Sequence, residues 1–258
     1  MMAPDREKGC AIHIYIKSRR HRAVKGFLLS NIAGIVVDKC SFFEQICVLC
    51  KSSPAPGGLC PACLDMLPRH PQNRCRHCAQ PMPAPGVCGH CQRHPPSFDA
   101  LHVSWQFGYP LSGLIHAFKY GKRLELAGVL SRLIVPPVCE KGFKIDWIFP
   151  VPLSKERLAE RGFNQSEELA RALAGTMQIR FSANICWRKR NTPFQAQLER
   201  AERYRNVKDA FGVKRRLDGL DVLLVDDVAT TGATLSALAE AVKKQGARRV
   251  EAWVLARA

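Results

Sequence analysis

Eight of the twelve cysteines fall in four C-x-x-C pairs: Cys47/Cys50, Cys60/Cys63, Cys75/Cys78 and Cys88/Cys91. Each pair can close a knuckle that offers two thiolates to one metal, and two such pairs complete a tetrahedral four-sulfur zinc site. Eight thiolates therefore imply two zinc ions. Nine residues separate the pairs within each half and eleven separate the halves, so residues 47–91 read as a duplicated ribbon with one zinc per half. A disulfide scaffold fits less well, because the thiols of a C-x-x-C pair lie too close in sequence to staple a small domain. A thioredoxin-like redox site needs only one pair, set in a βαβ unit. With four protein sulfurs per ion no position stays open for water, which makes the metal structural. His77 and His90 sit inside knuckles whose coordination is already filled and read as loop histidines, while Cys10, Cys40, Cys139 and Cys186 lack paired spacing and read as ordinary thiols.

A second chemistry is written near the C-terminus, where the apolar run Val222-Leu-Leu-Val225 leads into Asp226-Asp227-Val-Ala229-Thr230-Thr231-Gly232-Ala233-Thr234. Ligands of open α/β sheets bind at the carboxyl ends of strands. A turn of Thr230, Thr231, Gly232 and Thr234 at a helix start offers backbone N–H groups, hydroxyls and the positive end of a helix dipole, which suits a phosphate monoester. Carboxylates do not hold phosphate without a metal, but they accept hydrogen bonds from sugar hydroxyls. Asp226 and Asp227 beside such a turn therefore point to a ribose phosphate. A receiver domain is excluded because only 31 residues follow Asp227, too few for its remaining βα units. A Walker B strand would need a Walker A loop, and no G-x-x-x-x-G-K-[ST] occurs. An acidic strand end before a threonine-capped helix is the purely structural alternative.

These residues need a scaffold. Leu111, Leu114, Ile115 and Phe118 recur at helical spacing and predict a helix ending near Tyr120-Gly121. Trp147, Ile148, Phe149 and Val151 form a short apolar run punctuated by Pro150 and Pro152, a buried strand delivering a loop. Leu169 and Leu173 resume a helix, and residues 222–225 and 250–255 are further buried strands around a helix over 233–245. That alternation is α/β with a parallel sheet. Pro95 and Pro96, within 92–97, mark a linker between a ribbon over 41–95 and a second domain over 98–258.

Length and charge bound what remains. A chain of 258 residues with 47% hydrophobic and 24% charged residues builds a real core and is no disordered or staple-dependent miniprotein. Its formal charge of +17, from 39 Lys+Arg against 22 Asp+Glu, favours anionic partners such as nucleic acid, nucleotides or phosphorylated small molecules. The longest apolar run, 27–37, spans 11 residues and contains Ser30 and Asn31, short of the ~20 that a membrane helix needs. Arg19, Arg20, Arg22 and Lys25 precede it as in a signal peptide, but no A-x-A-like site follows. Residues 1–40 read as an N-terminal extension whose order the sequence leaves open.

Residues 225–234 resemble the phosphoribosyl pyrophosphate motif of type I phosphoribosyltransferases, and the wider arrangement resembles the ComF family, including its GntX-type proteins associated with competence and the use of external DNA. The cysteine knuckles, His116-Ala-Phe-Lys119-Tyr120, Pro150-Val-Pro152-Leu153, Arg161-Gly162-Phe163-Asn164-Gln165, and the stretch 192–211 with Arg203, Asn206 and Phe211 carry the resemblance over about residues 42–258. The fold it implies is a type I phosphoribosyltransferase-like parallel sheet flanked by helices, preceded by a small zinc-ribbon domain. It further implies that Ala229, Thr230, Thr231, Gly232, Ala233 and Thr234 cradle a 5′-phosphate. Asp226 and Asp227 would be the catalytic pair, holding the ribose hydroxyls and favouring positive charge at the anomeric carbon. The loop with Pro152 and Leu153 would receive pyrophosphate, neutralised by Arg157 and Arg161 through forked donors, with magnesium riding on the pyrophosphate.

Residues 188–216 hold ten Lys/Arg and three Asp/Glu, and Pro193, Gln195 and Gln197 break any apolar period. The resemblance implies a substrate-covering lid here; Phe194 and Tyr204 equally suit stacking of single-stranded nucleic acid, and a basic surface loop is the plain alternative. Two functional classes stay open: a phosphoribosyltransferase with an unidentified acceptor, and a nucleic-acid-handling protein, working with single-stranded DNA or DNA-uptake machinery, whose nucleotide site is regulatory or vestigial. Either implies a cytoplasmic location.

Overall fold

In the computed structural model the described residues are 45–121, 123–133, 144–190, 207 and 209–258. The extension over 1–40 and most of the basic stretch 188–216 lie outside them.

Each ribbon half is built the same way. Cys47 and Cys75 open knuckles in which the N–H of the residue after the second cysteine, Lys51 or Ala79, donates to the carbonyl of the first, at 3.0 and 2.9 Å. Lys51 and Ala79 both take positive φ, 60° and 55°. The third cysteine of each half then caps a one-turn helix: Cys60 precedes α1 (Pro61–Asp65) and Cys88 precedes α2 (Gly89–Arg93). The duplication seen in the spacing is thus a duplication of backbone conformation.

A five-stranded, all-parallel sheet follows, formed by β1 (Ala100–Gln106), β2 (Trp147–Pro150), β3 (Arg180–Phe181), β6 (Asp221–Ala229) and β7 (Arg249–Arg257) in the order β1-β7-β6-β2-β3. A separate antiparallel pair joins β4 (Cys186–Arg188) to β5 (Phe211–Val213). The helices are α3 (Leu111–Tyr120), α4 (Leu126–Leu133), α5 (Lys155–Arg161), α6 (Gln165–Met177) and α7 (Ala233–Lys243). Successive residues of β6 point to opposite faces, so Val222 and Leu224 pack with Phe98, Phe149, Leu235 and Leu238 on one side. Leu223 and Val225 pack with Leu111, Phe118, Leu169 and Trp253 on the other. A strand buried on both faces is a continuous apolar run, as the sequence shows.

The helix predicted to end near Tyr120-Gly121 is α3, closed by Gly121. The strand predicted over 222–225 runs on to Ala229, because its ladder with β7 continues through Asp226↔Val254 and Ala229↔Arg257. Both aspartates are therefore strand residues rather than loop residues. The helix predicted over 233–245 stops at Lys243.

The ribbons pack directly on the sheet domain. Pro68 accepts a hydrogen bond from the Gln106 N–H at 2.9 Å, and Arg132 of α4 donates to the Pro56 carbonyl at 3.0 Å. Ala79, 1% exposed, belongs to the same apolar cluster as Phe98, Ala229 and Ala233.

Candidate functional site

The sulfurs of Cys47, Cys50, Cys60 and Cys63 lie within 4.8 Å of one another, as do those of Cys75, Cys78, Cys88 and Cys91. A tetrahedral zinc with ~2.3 Å sulfur bonds places its ligands about 3.8 Å apart. Cys50 and Cys60 stand at 3.9 Å and Cys78 and Cys88 at 3.7 Å. Each half thus gathers its own tetrad, in the sequential pairing expected from the spacing, and both tetrads fit a structural zinc ion. The Cys88 N–H donates to Cys75 Sγ at 3.3 Å, the kind of backbone bond that steadies a thiolate ligand.

The second site is a cavity of about 530 Å³ at the carboxyl edge of the sheet. Several segments converge on it, among them α6 with Gln165 and Ser166 and β4 with Arg188. From β6 and the turn beyond come Asp226, Asp227, Thr230, Thr231, Ala233 and Thr234. From the β2 loop and α5 come Leu153, Arg157 and Arg161, and from α3 come His116, Lys119 and Tyr120. Gly232, Pro152 and Ala229, expected at the site, do not line this cavity; they shape the backbone beside it. Gly232 takes φ 78° at the start of α7, where Phe98 packs 3.6 Å from the position of a Cβ. The Thr231 hydroxyl accepts from the Ala233 N–H at 3.3 Å, folding the turn onto the helix start.

The loop after β2 is positioned by the segment Arg161-Gly-Phe-Asn-Gln165. Ser154 caps α5, accepting from the Arg157 N–H at 3.4 Å, and Gly162 ends that helix at φ 80°. Asn164 then caps α6 through its Oδ1, which accepts from Ser166 N–H at 3.1 Å, while its Nδ2 donates to the Val151 carbonyl at 3.0 Å. One asparagine so fixes both a helix start and the loop facing the cavity. Arg161 donates to Gln165 Oε1 at 3.0 Å and to the Tyr120 hydroxyl at 3.2 Å, with its guanidinium 5.0 Å from the Tyr120 ring centroid.

The floor is strongly charged. Asp226 accepts from the Ser166 hydroxyl at 2.7 Å and the Asp227 N–H at 2.9 Å. Burial, followed by the charge of Asp227, pushes the Asp226 carboxyl up to about 6. Asp227 accepts from Val228 N–H at 2.7 Å and pairs with Lys119 Nζ at 2.7 Å. Burial acts to lower the Lys119 pKa, but the charge and hydrogen bond of Asp227, with Asp226 behind it, hold it above the usual lysine value. Across the cavity, burial and mutual repulsion depress the guanidinium groups of Arg157, beside Arg161, and Arg188, beside Arg157. Cations that weaken one another in this way gain most when an anion arrives.

Lys119, Ser166, Gln165 and Arg188 belong to this constellation: from sequence Lys119 and Gln165 stood only within wider motifs and Arg188 within the basic stretch, while Ser166, one residue past its motif, was not singled out. A lysine on the buried face of an otherwise apolar helix, next to Phe118, was the available signal for Lys119. Arg188 stood out only as the first cation of the basic stretch 188–216, and the fold alone brings it to Arg157.

Residues 158–258 match the model of the phosphoribosyl transferase domain, and residues 41–92 match that of the double zinc ribbon domain. The DNA utilization protein YhgH of Escherichia coli strain K12 is 34% identical over 220 residues, covering 82% of this chain and 96% of its own. Competence protein F of Haemophilus influenzae is 32% identical over 229 residues, covering 84% and 99%. Competence protein ComFC of Bacillus subtilis is 27% identical over 254 residues, covering 89% and 100%. With the paired cysteine tetrads ahead of a parallel sheet, these matches place the chain in the ComF family of double zinc ribbon and phosphoribosyl transferase-domain proteins.

Proposed function

We propose that the cavity binds phosphoribosyl pyrophosphate, or a related ribose phosphate, with magnesium on the pyrophosphate. The observation that carries this reading is the division of charge around one cavity: a carboxylate pair on β6, a hydroxyl-rich turn at the start of α7, and arginines from α5 and β4. The turn over 229–234 would take the 5′-phosphate on its N–H groups and hydroxyls. Asp226 and Asp227 would accept from the ribose hydroxyls. Leu153, Arg157 and Arg161 would face the pyrophosphate, with Arg188 as a fourth contact and Lys119 paired with Asp227 at 2.7 Å. Magnesium would neutralise charge on the departing pyrophosphate. In transfer, an acceptor nucleophile bonds to the anomeric carbon as the carbon–oxygen bond to pyrophosphate breaks, and the carboxylates favour the positive charge between the two events.

Calorimetric titration with magnesium phosphoribosyl pyrophosphate tests this. Asp227→Ala and the volume-conserving Asp227→Asn should each weaken binding by about tenfold or more, the scale of a hydrogen bond to a charged group, with zinc content unchanged. Full retention of affinity in both would overturn the reading.

The relatives' names and the +17 charge favour a second role, in handling nucleic acid. Arg180 and Arg215 stack on the half-buried Trp147 at the start of β2, at 5.0 and 5.8 Å. A chain this basic binds DNA at low salt whatever its function, so location is the informative quantity. Neutralising Arg203, Arg205 and Lys208, which lie outside the described residues, should reduce single-stranded DNA affinity and its salt slope more than neutralising Lys8, Lys17 and Arg19. Equal losses would indicate generic electrostatics.

A further inference from the structure

Arg257 is 1% exposed, near the end of β7, and its guanidinium joins the second ribbon to the phosphate turn. Its Nη2 donates to Gln80 Oε1 at 2.9 Å, and its Nη1 to the carbonyl of Ala229 at 3.2 Å and of Ala258 at 3.4 Å. Ala229 is the last residue of β6, immediately before Thr230. Gln80 is two residues past the zinc-tetrad residue Cys78, and its carbonyl accepts from the N–H of Cys75, another member of that tetrad, at 2.8 Å. An apolar contact runs alongside: Ala79, inside the knuckle, shares a buried cluster with Phe98, and the Phe98 ring lies against Gly232. The Ala79 carbonyl is also held, by His70 Nε2 at 2.8 Å. Both routes leave the second tetrad and end on the same turn. The first half docks elsewhere, on α4 through the Arg132–Pro56 hydrogen bond and on the apolar cluster of α3 and α4 through Val48, Leu49 and Leu59.

We propose that Gln80 and Arg257 are positioning residues through which the second zinc ribbon holds the phosphate-binding turn in its ligand-ready shape. The inference rests on the ribose-phosphate reading of the cavity. A buried guanidinium has a fixed fork of donors, so its two ends cannot move independently. With the knuckle closed on zinc, Gln80 is fixed, Arg257 is fixed, and the Ala229 carbonyl is pinned. With the knuckle open, that acceptor is withdrawn and the turn loses the Arg257 support, keeping the Ala258 N–H, which donates to the Ala229 carbonyl at 2.9 Å, and the Phe98 contact. The coupling must be reciprocal, so an occupied turn also favours a closed second knuckle.

The experiment uses the full zinc-loaded chain and four variants: Gln80→Leu, which deletes the acceptor; Gln80→Glu, which keeps one; Arg257→Met; and Arg132→Met, which removes a docking hydrogen bond of the first ribbon. Zinc content, affinity for magnesium phosphoribosyl pyrophosphate, and amide hydrogen exchange over 229–235 are measured for each. Gln80→Leu should retain two zinc ions, bind the ligand about tenfold more weakly and exchange faster over the turn, within the range of coupling between linked sites. Gln80→Glu should behave as the parent, and so should Arg132→Met. Saturating ligand should protect one of the two zinc ions from a chelator in the parent but not in Gln80→Leu. Unchanged exchange over the turn in Gln80→Leu and in a folded Arg257→Met would overturn the proposal. If the parent itself fails to bind the ligand, the reading of the cavity falls, and the exchange measurement still decides the brace, because it needs no ligand. Should Arg257→Met fail to fold, Gln80→Leu decides alone.

Discussion

Asp226 and Asp227 are neighbours in sequence and differ in circumstance. Asp227 has Lys119 at 2.7 Å, whereas Asp226 has only neutral donors and a like charge beside it. Its carboxyl consequently titrates near 6. The folded value lies above the ordinary carboxylate value, so the proton stabilises the folded chain: this contribution is fully present below about pH 4 and is lost as pH rises through 6. Ligand binding runs the other way, because a sugar hydroxyl needs an ionised acceptor. Affinity for the ribose phosphate should therefore rise between pH 5 and 7, beyond the rise due to the ligand's own phosphate, whose second ionisation also falls near 6. Comparing the profile of the parent with that of Asp226→Asn separates the two. An identical pH slope in both would show that Asp226 does not meet the ligand in ionised form.

Among the elements, the junction of β6 and α7 has the strictest geometry. Residue 232 sits at φ 78° between a strand and a helix, a left-handed conformation open to glycine at little cost. A methyl group there would meet Phe98 at an ordinary 3.6 Å, so the strain of Gly232→Ala is in the backbone, not in a clash. We expect it to lower stability by about 1 kcal/mol in urea denaturation and to weaken phosphate binding as the turn relaxes. Phosphate affinity left intact alongside the loss of stability would show that the turn does not need this conformation to hold its ligand. The α5–α6 junction follows the same logic, with Gly162 reversing the chain and Asn164 tying the loop after β2 to the start of α6. Its function is legible in sequence only as a string of turn and cap residues, since the partner carbonyl, Val151, stands 13 residues away.

On the scale of the whole molecule, ribbons and sheet domain share buried surface. Metal binding supplies much of a small ribbon's folding energy. Metal analysis should find two zinc ions per chain, and Cys47→Ser or Cys88→Ser should leave one and unfold its own half. Zinc-free protein with blocked thiols would refute the metal assignment. No helix among the described residues is long and apolar enough to cross a membrane, in keeping with the short apolar runs of the sequence. The sequence by itself determined the local chemistry: the two tetrads, because C-x-x-C spacing constrains ligands within a few residues. It also determined the buried strands and amphipathic helices, because their periodicity is a property of the chain. It located the carboxylates and the hydroxyl turn for the same reason, as neighbours along one segment. Only the tertiary structure decided that Lys119 meets Asp227, that Arg188 faces Arg157, and that Arg257 joins Gln80 to Ala229. Those contacts span separations as large as 177 residues and depend on strand order and crossover, which no local pattern encodes. The extent of β6 was decided in the same way, since its last four residues are held in the strand by pairing with β7 rather than by their own preference.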